Sequence, residues 1–167
     1  DLETAEIGAR AALTGHLVLT TLHTNDTVST ITRLIDIGLE PFLVSAAVSG
    51  VIAQRLIRKI CPHCKKQQDV PPNVFERLGV AGGKPFPVHY GEGCDKCYKT
   101  GYKGRTAITE VLKLTKEIKK MVIEEVGDIN IKDYAVKEGM RTLREVALKA
   151  LEAGITTIDE VLTVTNQ

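Results

Sequence analysis

Gly15-His16-Leu17-Val18-Leu19-Thr20-Thr21-Leu22-His23-Thr24-Asn25-Asp26 is the stretch that decides how this chain is read. Leu17 to Leu22 is a short apolar run, the pattern of a strand buried on both faces. It ends in a burst of hydrogen-bonding side chains. In open α/β sheets, ligands bind outside the carboxyl ends of the strands. His23 stands at that end, just before a helix N-terminus, whose unpaired N–H groups favour anions. His23 is therefore a candidate to touch a phosphate or relay a proton. The alternative is that His16 and His23 merely cap a strand and a helix.

Working outward, Ala5, Ile7, Ala9, Ala11, Ala12 and Leu13 form an Ala-rich helical stretch, and Gly15 ends it. On the other side, Asn25 or Asp26 can cap a helix whose Val28, Ile31, Leu34 and Ile35 share one face, with Gly38 as its stop. Pro41 suits a first helical turn, and the pattern predicts a helix over 42–55. Helix, strand, helix, helix is part of an α/β sheet covered on both faces. This first block runs over residues 1–60. A second block, 61–104, holds all four Cys and five of the six Pro. The third, 105–167, opens with a strand-like run from Thr106 to Leu112. It continues in helices: Ile118, Met121, Val122 and Val126 make one amphipathic face, and Gly139 and Gly154 separate later segments. Thr142 with Glu145, and Thr157 with Glu160, fit the reciprocal capping box. Short links imply a compact helical packet.

Composition limits the function. Of 167 residues, 43% are hydrophobic and 26% charged, an ordinary globular balance. Lys plus Arg is 22 against 21 acidic residues, a net charge of +1, which argues against a whole-domain electrostatic grip on nucleic acid or anionic membrane. The longest apolar candidate, Phe42 to Ile57, is broken by Ser45, Ser49, Gly50, Gln54 and Arg55. It falls short of the ~20 apolar residues of a membrane helix. The chain opens at Asp1-Leu2-Glu3-Thr4 rather than at Met. It reads as a piece of something longer, with some chemistry upstream.

Cys61-Pro62-His63-Cys64 and Cys94-Asp95-Lys96-Cys97 form two C-x-x-C pairs separated by 29 residues. Two thiolates on one tight turn supply two corners of a tetrahedron, and a second knuckle supplies the others. The gap leaves room for a small unit, and Pro72 to Leu78 looks like a helical turn or two within it. Four thiolates and Zn²⁺ sum to a net negative charge, with Lys65, Lys66, Lys96 and Lys99 at hand to offset it. Four Cys close the shell, so the reading is structural zinc rather than a catalytic metal. Iron also suits four thiolates. A redox C-x-x-C needs one pair near a βαβ start, and disulfides need an oxidising compartment. His63 and His89 read as surface histidines beside a complete site.

Taken together these residues resemble the secretion ATPases of type II secretion and type IV pilus assembly. Gly15 to Asp26 is similar to that family's His box. Asp1-x-Glu3-Thr4 looks like the tail of its Walker B segment. Gln54-Arg55-Leu56-x-Arg58-x-x-Cys61-Pro62-x-Cys64 resembles the approach to its first zinc knuckle, and Gly93-Cys94-x-x-Cys97-x-x-x-Gly101-Tyr102-x-Gly104-Arg105 its second. Thr27 stands where the family commonly has Ala, and Ala107 and Thr109 depart from an expected Gly and Tyr.

The resemblance implies the C-terminal portion of a RecA-like P-loop NTPase domain (residues 1–60), an inserted tetracysteine zinc subdomain (61–104), and a strand with a C-terminal helical packet (105–167). It implies a cytoplasmic homo-hexamer on the inner face of the cytoplasmic membrane. The ring would hydrolyse ATP with Mg²⁺ and drive an inner-membrane platform protein and the secretion or pilus machinery, without nucleic acid. His23 would be the phosphate sensor or relay and His16 its support. Thr24 and Asn25 would contact nucleotide. Arg55, Arg58 and Arg105 are weaker candidates for nucleotide or inter-subunit contacts, the alternative being surface salt bridges or carboxylate clamps. Asp1, Glu3 and Thr4 would be the Walker B tail, Glu3 and Thr4 orienting the strand end, with helix capping as the alternative. Phosphoryl transfer needs a phosphate cradle and a water-positioning carboxylate. No G-x-x-x-x-G-K-[ST] occurs here, and Gly82-Gly83-Lys84, followed by Pro85, is a false echo of it. The chain by itself is therefore expected to be inactive. The competing reading is a zinc-ribbon module binding nucleic acid or protein through the interleaved Tyr98, Lys99, Tyr102, Lys103 and Arg105.

Overall fold

The computed structural model describes residues 1–80 and 85–165. Gly82-Gly83-Lys84 lies outside the described residues. In chain order the elements are α1 (Leu2–Leu13), α2 (Thr27–Asp36), α3 (Pro41–Ala47), β1 (Gly50–Ile60), β2 (Lys65–Gln68), α4 (Pro72–Arg77), β3 (Val88–Gly91), β4 (Tyr102–Lys113), α5 (Lys116–Ile123), α6 (Asp128–Lys137), α7 (Leu143–Glu152) and α8 (Ile158–Thr165). A 3-10 turn occupies Asp95–Cys97. β1 pairs with β4, and β2 pairs antiparallel with β3, Lys65 lying opposite Gly91 and Gln68 opposite Val88. The chain divides into two compact units, 1–53 with 110–142 and 54–109 with 143 onward.

The first unit is helical around the ends of β1 and β4. Asp1 caps α1 by accepting from the Thr4 N–H at 2.8 Å, and Gly15 follows at φ +96°. Asp26 caps α2 through the Ser29 N–H at 2.9 Å, while the Ser29 hydroxyl accepts from the Asp26 N–H at 3.2 Å. Val28 and Ile31 of α2, Ile118 and Val122 of α5, and Ile131 and Ala135 of α6 recur at three- or four-residue spacing. They meet Val44 and Leu112 in one core. Each fully buried aliphatic side chain contributes about 1.5–3 kcal/mol.

The second unit buries Ile57 and Ile60 of β1, Ile108 of β4, Val88 of β3, and Ala147, Leu151 and Val161 of the last two helices. Pro72 opens α4, which buries Phe75, and the Phe75 ring meets Phe86 edge-on at 4.9 Å between centroids. Arg58 ties β1 to α8, because its Nε and Nη2 both donate to Oε1 of Glu160, at 2.8 and 2.7 Å. Its backbone N–H donates to Oε2 at 2.7 Å.

Three local expectations are corrected. Leu17 to Leu22 is not in a strand, and Leu17 and Leu19 are 89% and 87% exposed. An apolar run becomes a strand only when a neighbour takes its N–H and C=O groups, and none of the described residues does so here. The helix expected over 42–55 stops at Ala47, and β1 begins at Gly50. From Val51 to Ile57 every second residue turns inward, a period of two that helical spacing of the same apolar residues had masked. Finally, Thr157 accepts from the Glu160 N–H at 3.4 Å, but the Glu160 carboxylate serves Arg58 rather than returning the bond.

Candidate functional site

The four cysteines come from two knuckles. Cys61 follows β1 and Cys64 precedes β2. Cys94 and Cys97 bracket the 3-10 turn. The Cys61 N–H donates to the Gly101 carbonyl at 2.9 Å and the Glu92 N–H to the Cys64 carbonyl at 3.0 Å, so backbone bonds hold one knuckle against the other. The Sγ atoms of Cys61 and Cys94 are 3.9 Å apart, of Cys64 and Cys97 3.8 Å, and of Cys94 and Cys97 3.7 Å, and all four lie within 4.8 Å of one another. A bonded disulfide is ~2.05 Å, so these are free thiols. Metal–sulfur bonds of ~2.3 Å in a regular tetrahedron require sulfur atoms ~3.8 Å apart. The four-cysteine cluster fits a tetrahedral thiophilic ion, and neither His63 nor His89 belongs to it.

Backbone amides add to the fit. Gly93 donates to Cys64 Sγ at 3.3 Å, Cys94 to Cys97 Sγ at 3.2 Å, and Gly101 to Cys97 Sγ at 3.3 Å. The Cys94 and Gly101 amides stabilise thiolate and outweigh burial, holding Cys97 down at about 6. Burial pushes the Cys64 thiol up to about 12 despite the Gly93 amide. Of the lysines expected to offset the charge, Lys66 pairs with Glu92 at 2.6 Å and Lys99 with Asp95 at 2.9 Å. A Cβ on Gly91 would overlap the Gly101 carbonyl, so only glycine allows the two backbones to cross there.

The second candidate site is the loop leading into α2. His23 and Asn25 are exposed, and Thr24 and Asp26 are half-buried. Thr24 Oγ1 and Thr30 Oγ1 are 2.7 Å apart. Asp26 Oδ2 accepts from Lys132 Nζ at 2.7 Å. Burial alone would raise the Asp26 carboxyl, but the Lys132 and Ser29 hydrogen bonds hold it below its ordinary value. His16 sits at the end of α1, its Nδ1 3.0 Å from Thr14 Oγ1 and 3.2 Å from the Ala11 carbonyl oxygen. Asp1, Glu3 and Thr4 form the first turn of α1 and its cap. Arg105 lies on β4 and its charge helps to lower the Glu160 carboxyl, behind the stronger effect of Arg58.

Two site residues were not found by sequence reasoning. Glu110 is 1% exposed, and its Oε1 accepts from both the Thr27 N–H at 3.0 Å and the Thr27 hydroxyl at 2.5 Å. Thr27 thus supplies, through its hydroxyl, a second bond to the carboxylate that its N–H already meets. Lys132 is the other. The available signal was a lone carboxylate in register with Ile108 and Leu112, the inward positions of β4.

The sequence model of the type II/IV secretion system proteins matches residues 1–163. The chain belongs to that family. Among relatives in this secretion-system family, it is 47% identical over 164 residues to the type IV pilus assembly ATPase PilB of Thermus thermophilus, covering 97% of this chain and 18% of that protein. It is 42% identical over 167 residues to the type II secretion system protein E of Pseudomonas aeruginosa, covering 100% of this chain and 33% of that protein. A type II secretion system ATPase E from Vibrio cholerae is 38% identical over 167 residues. The chain spans about a fifth to a third of the length of these secretion-system relatives. Among the described residues no helix is long and apolar enough to cross a membrane.

Proposed function

We propose that this chain is the C-terminal part of a longer motor ATPase that couples ATP hydrolysis to type IV pilus assembly or type II protein secretion. The observation that carries the reading is the family match across 1–163, joined to relatives of both kinds that are named as ATPases. Residues 1–60 belong to a RecA-like core, 61–104 to a tetracysteine zinc subdomain, and 105–167 to a strand and helical packet. The exposed Leu17 and Leu19 then pair within a larger sheet. The longer protein works as a homo-hexamer with Mg²⁺ and ATP, on the cytoplasmic side of the inner membrane, against a platform protein and the pilus or secretion machinery.

In this reading His23 senses the terminal phosphate or relays a proton, flanked by Thr24 and Asn25. His16 holds the preceding segment, and the turn of Asp1, Glu3 and Thr4 orients the margin of that segment; Arg105 is a weaker candidate for a nucleotide contact. A phosphoryl group in transfer spreads charge over its outer oxygens, and catalysis is mostly positioning and charge stabilisation. An exposed imidazole on a loop whose neighbours are tied down suits such a task. Cys61, Cys64, Cys94 and Cys97 hold Zn²⁺, which supplies folding energy to a segment poor in apolar core. The zinc-ribbon alternative loses one of its aromatics. Tyr102 lies 4.0 Å beneath the Arg58 guanidinium, and its hydroxyl is 2.8 Å from Thr157 Oγ1.

The test compares ATP hydrolysis by the 167-residue chain with that of the longer protein. The chain alone should show no turnover, because it lacks a phosphate cradle, whereas the longer protein should show Mg²⁺-dependent turnover. An assembled longer protein without turnover would overturn the proposal.

A further inference from the structure

The loop carrying His23 is held at its far end from two directions. Glu110 of β4 takes both the N–H and the hydroxyl of Thr27, at 3.0 and 2.5 Å. Lys132 of α6 donates to Asp26 Oδ2 at 2.7 Å while Asp26 Oδ1 caps α2 through Ser29. Each oxygen of the Asp26 carboxylate thus has a task, and its rotamer is fixed by groups from two helices. Thr30 Oγ1 donates to the Asp26 carbonyl at 2.9 Å, which uses its single proton, so in the 2.7 Å contact the Thr24 hydroxyl is the donor. Residues 24, 26 and 27 are tied inward, and His23 and Asn25, between and before them, face outward.

We propose that Glu110 and Lys132 are positioning residues for the His23 loop, pinning residues 26 and 27 so that His23 projects from a fixed base. The proposal rests on the reading of His23 as the phosphate-facing side chain. Three physical points favour it. A buried carboxylate is costly unless its bonds are made, and Glu110 is aimed at the first amide of α2, the positive end of that helix. Lys132 is partly exposed, so its bond to Asp26 is not forced by burial; the chain brings it from α6, over a hundred residues away. A reacting or sensing group also loses most of its effect when displaced by ~1 Å, which can cost ~100-fold. Without the pins, α2 keeps its Asp26 cap and the Thr24–Thr30 bond, but neither β4 nor α6 holds residues 26 and 27 in place, and the base from which His23 projects loosens.

The test measures kcat and KM for ATP, with hydrogen exchange over residues 22–30, in the longer protein. The variants are Lys132→Met, Glu110→Gln and His23→Ala, and each pin variant combined with His23→Ala. Lys132→Met removes only a half-exposed cation, so the test stands even if Glu110→Gln folds poorly. Each pin variant should lower kcat about ten-fold with KM for ATP nearly unchanged, and speed exchange over residues 22–27. Combined with His23→Ala, neither should lower kcat further, because both act through that side chain. Lys132→Arg should restore most of the rate. Wild-type kcat in both pin variants, with His23→Ala impaired, would overturn the positioning role and leave the reading of His23 standing. The same holds for pin losses that add in full to that of His23→Ala. Wild-type turnover in His23→Ala would overturn the reading, and the positioning role with it.

Discussion

Glu160 shows how a single buried carboxylate is kept ionised. Burial pushes its carboxyl up, but three hydrogen bonds from Arg58 more than offset this, leaving it below the ordinary 4.5. A group with a depressed pKa contributes stability above its unfolded value, and that contribution is lost as pH falls through the folded one. Glu160→Gln should therefore cost about 1.5–3 kcal/mol at pH 7, and the gap from wild type should shrink in acid below about pH 4. Urea melts at pH 7 and pH 3 check this, and an equal gap at both would contradict it. His89 has the opposite chemistry. Burial, then the nearby Lys65, lower its pKa, and its Nδ1 is buried without a partner among the described residues. Stability is then complete above the ordinary 6.5 and falls as pH drops below it, because the unfolded chain takes up the proton first. His89→Phe should flatten the stability profile between about pH 6.5 and 5; an unchanged slope would assign the loss elsewhere.

At the scale of elements, the knuckles depend on the donor set and on a backbone crossing. Gly91→Ala places a methyl against the Gly101 carbonyl without any unusual φ, whereas Gly79→Ala meets open space but must adopt φ +72°. The second change should cost about 1–2 kcal/mol and leave metal content intact. The first should lower metal content, as zinc analysis would show; equal metal in both would mean that the crossing yields. Cys94→Ser should loosen β2, β3 and the 3-10 turn by hydrogen exchange while the core around Val28, Ile31 and Val122 keeps its protection. Elements were legible where the signal is local. The Asp26 cap, the glycine stop at Gly38, the helical turn at Pro72 and the cysteine spacing each lie within a few residues. What was not legible depended on distant partners. Glu110 meets Thr27 across 83 residues and Glu160 meets Arg58 across 102, and no window contains both members. Val51 to Ile57 satisfied helical and strand periods at once, and only the pairing of β1 with β4 decides between them.

At the scale of the whole chain, two units each carry one candidate site. The His23 loop lies in the unit of 1–53 with 110–142, and the four cysteines in that of 54–109 with 143 onward. The family match spans both units. The fit of four sulfur atoms to one tetrahedron was readable from spacing alone. For His23 only a place was legible, the end of an apolar run before a capped helix, and the structure has it there, exposed ahead of α2. The most direct measurement is Mg²⁺-dependent ATP turnover by the assembled longer protein with His23 intact and with His23→Ala. The account predicts a fall of about ten-fold or more with assembly and thermal stability unchanged. Turnover that is indifferent to His23 would contradict it and reduce the loop to a structural turn.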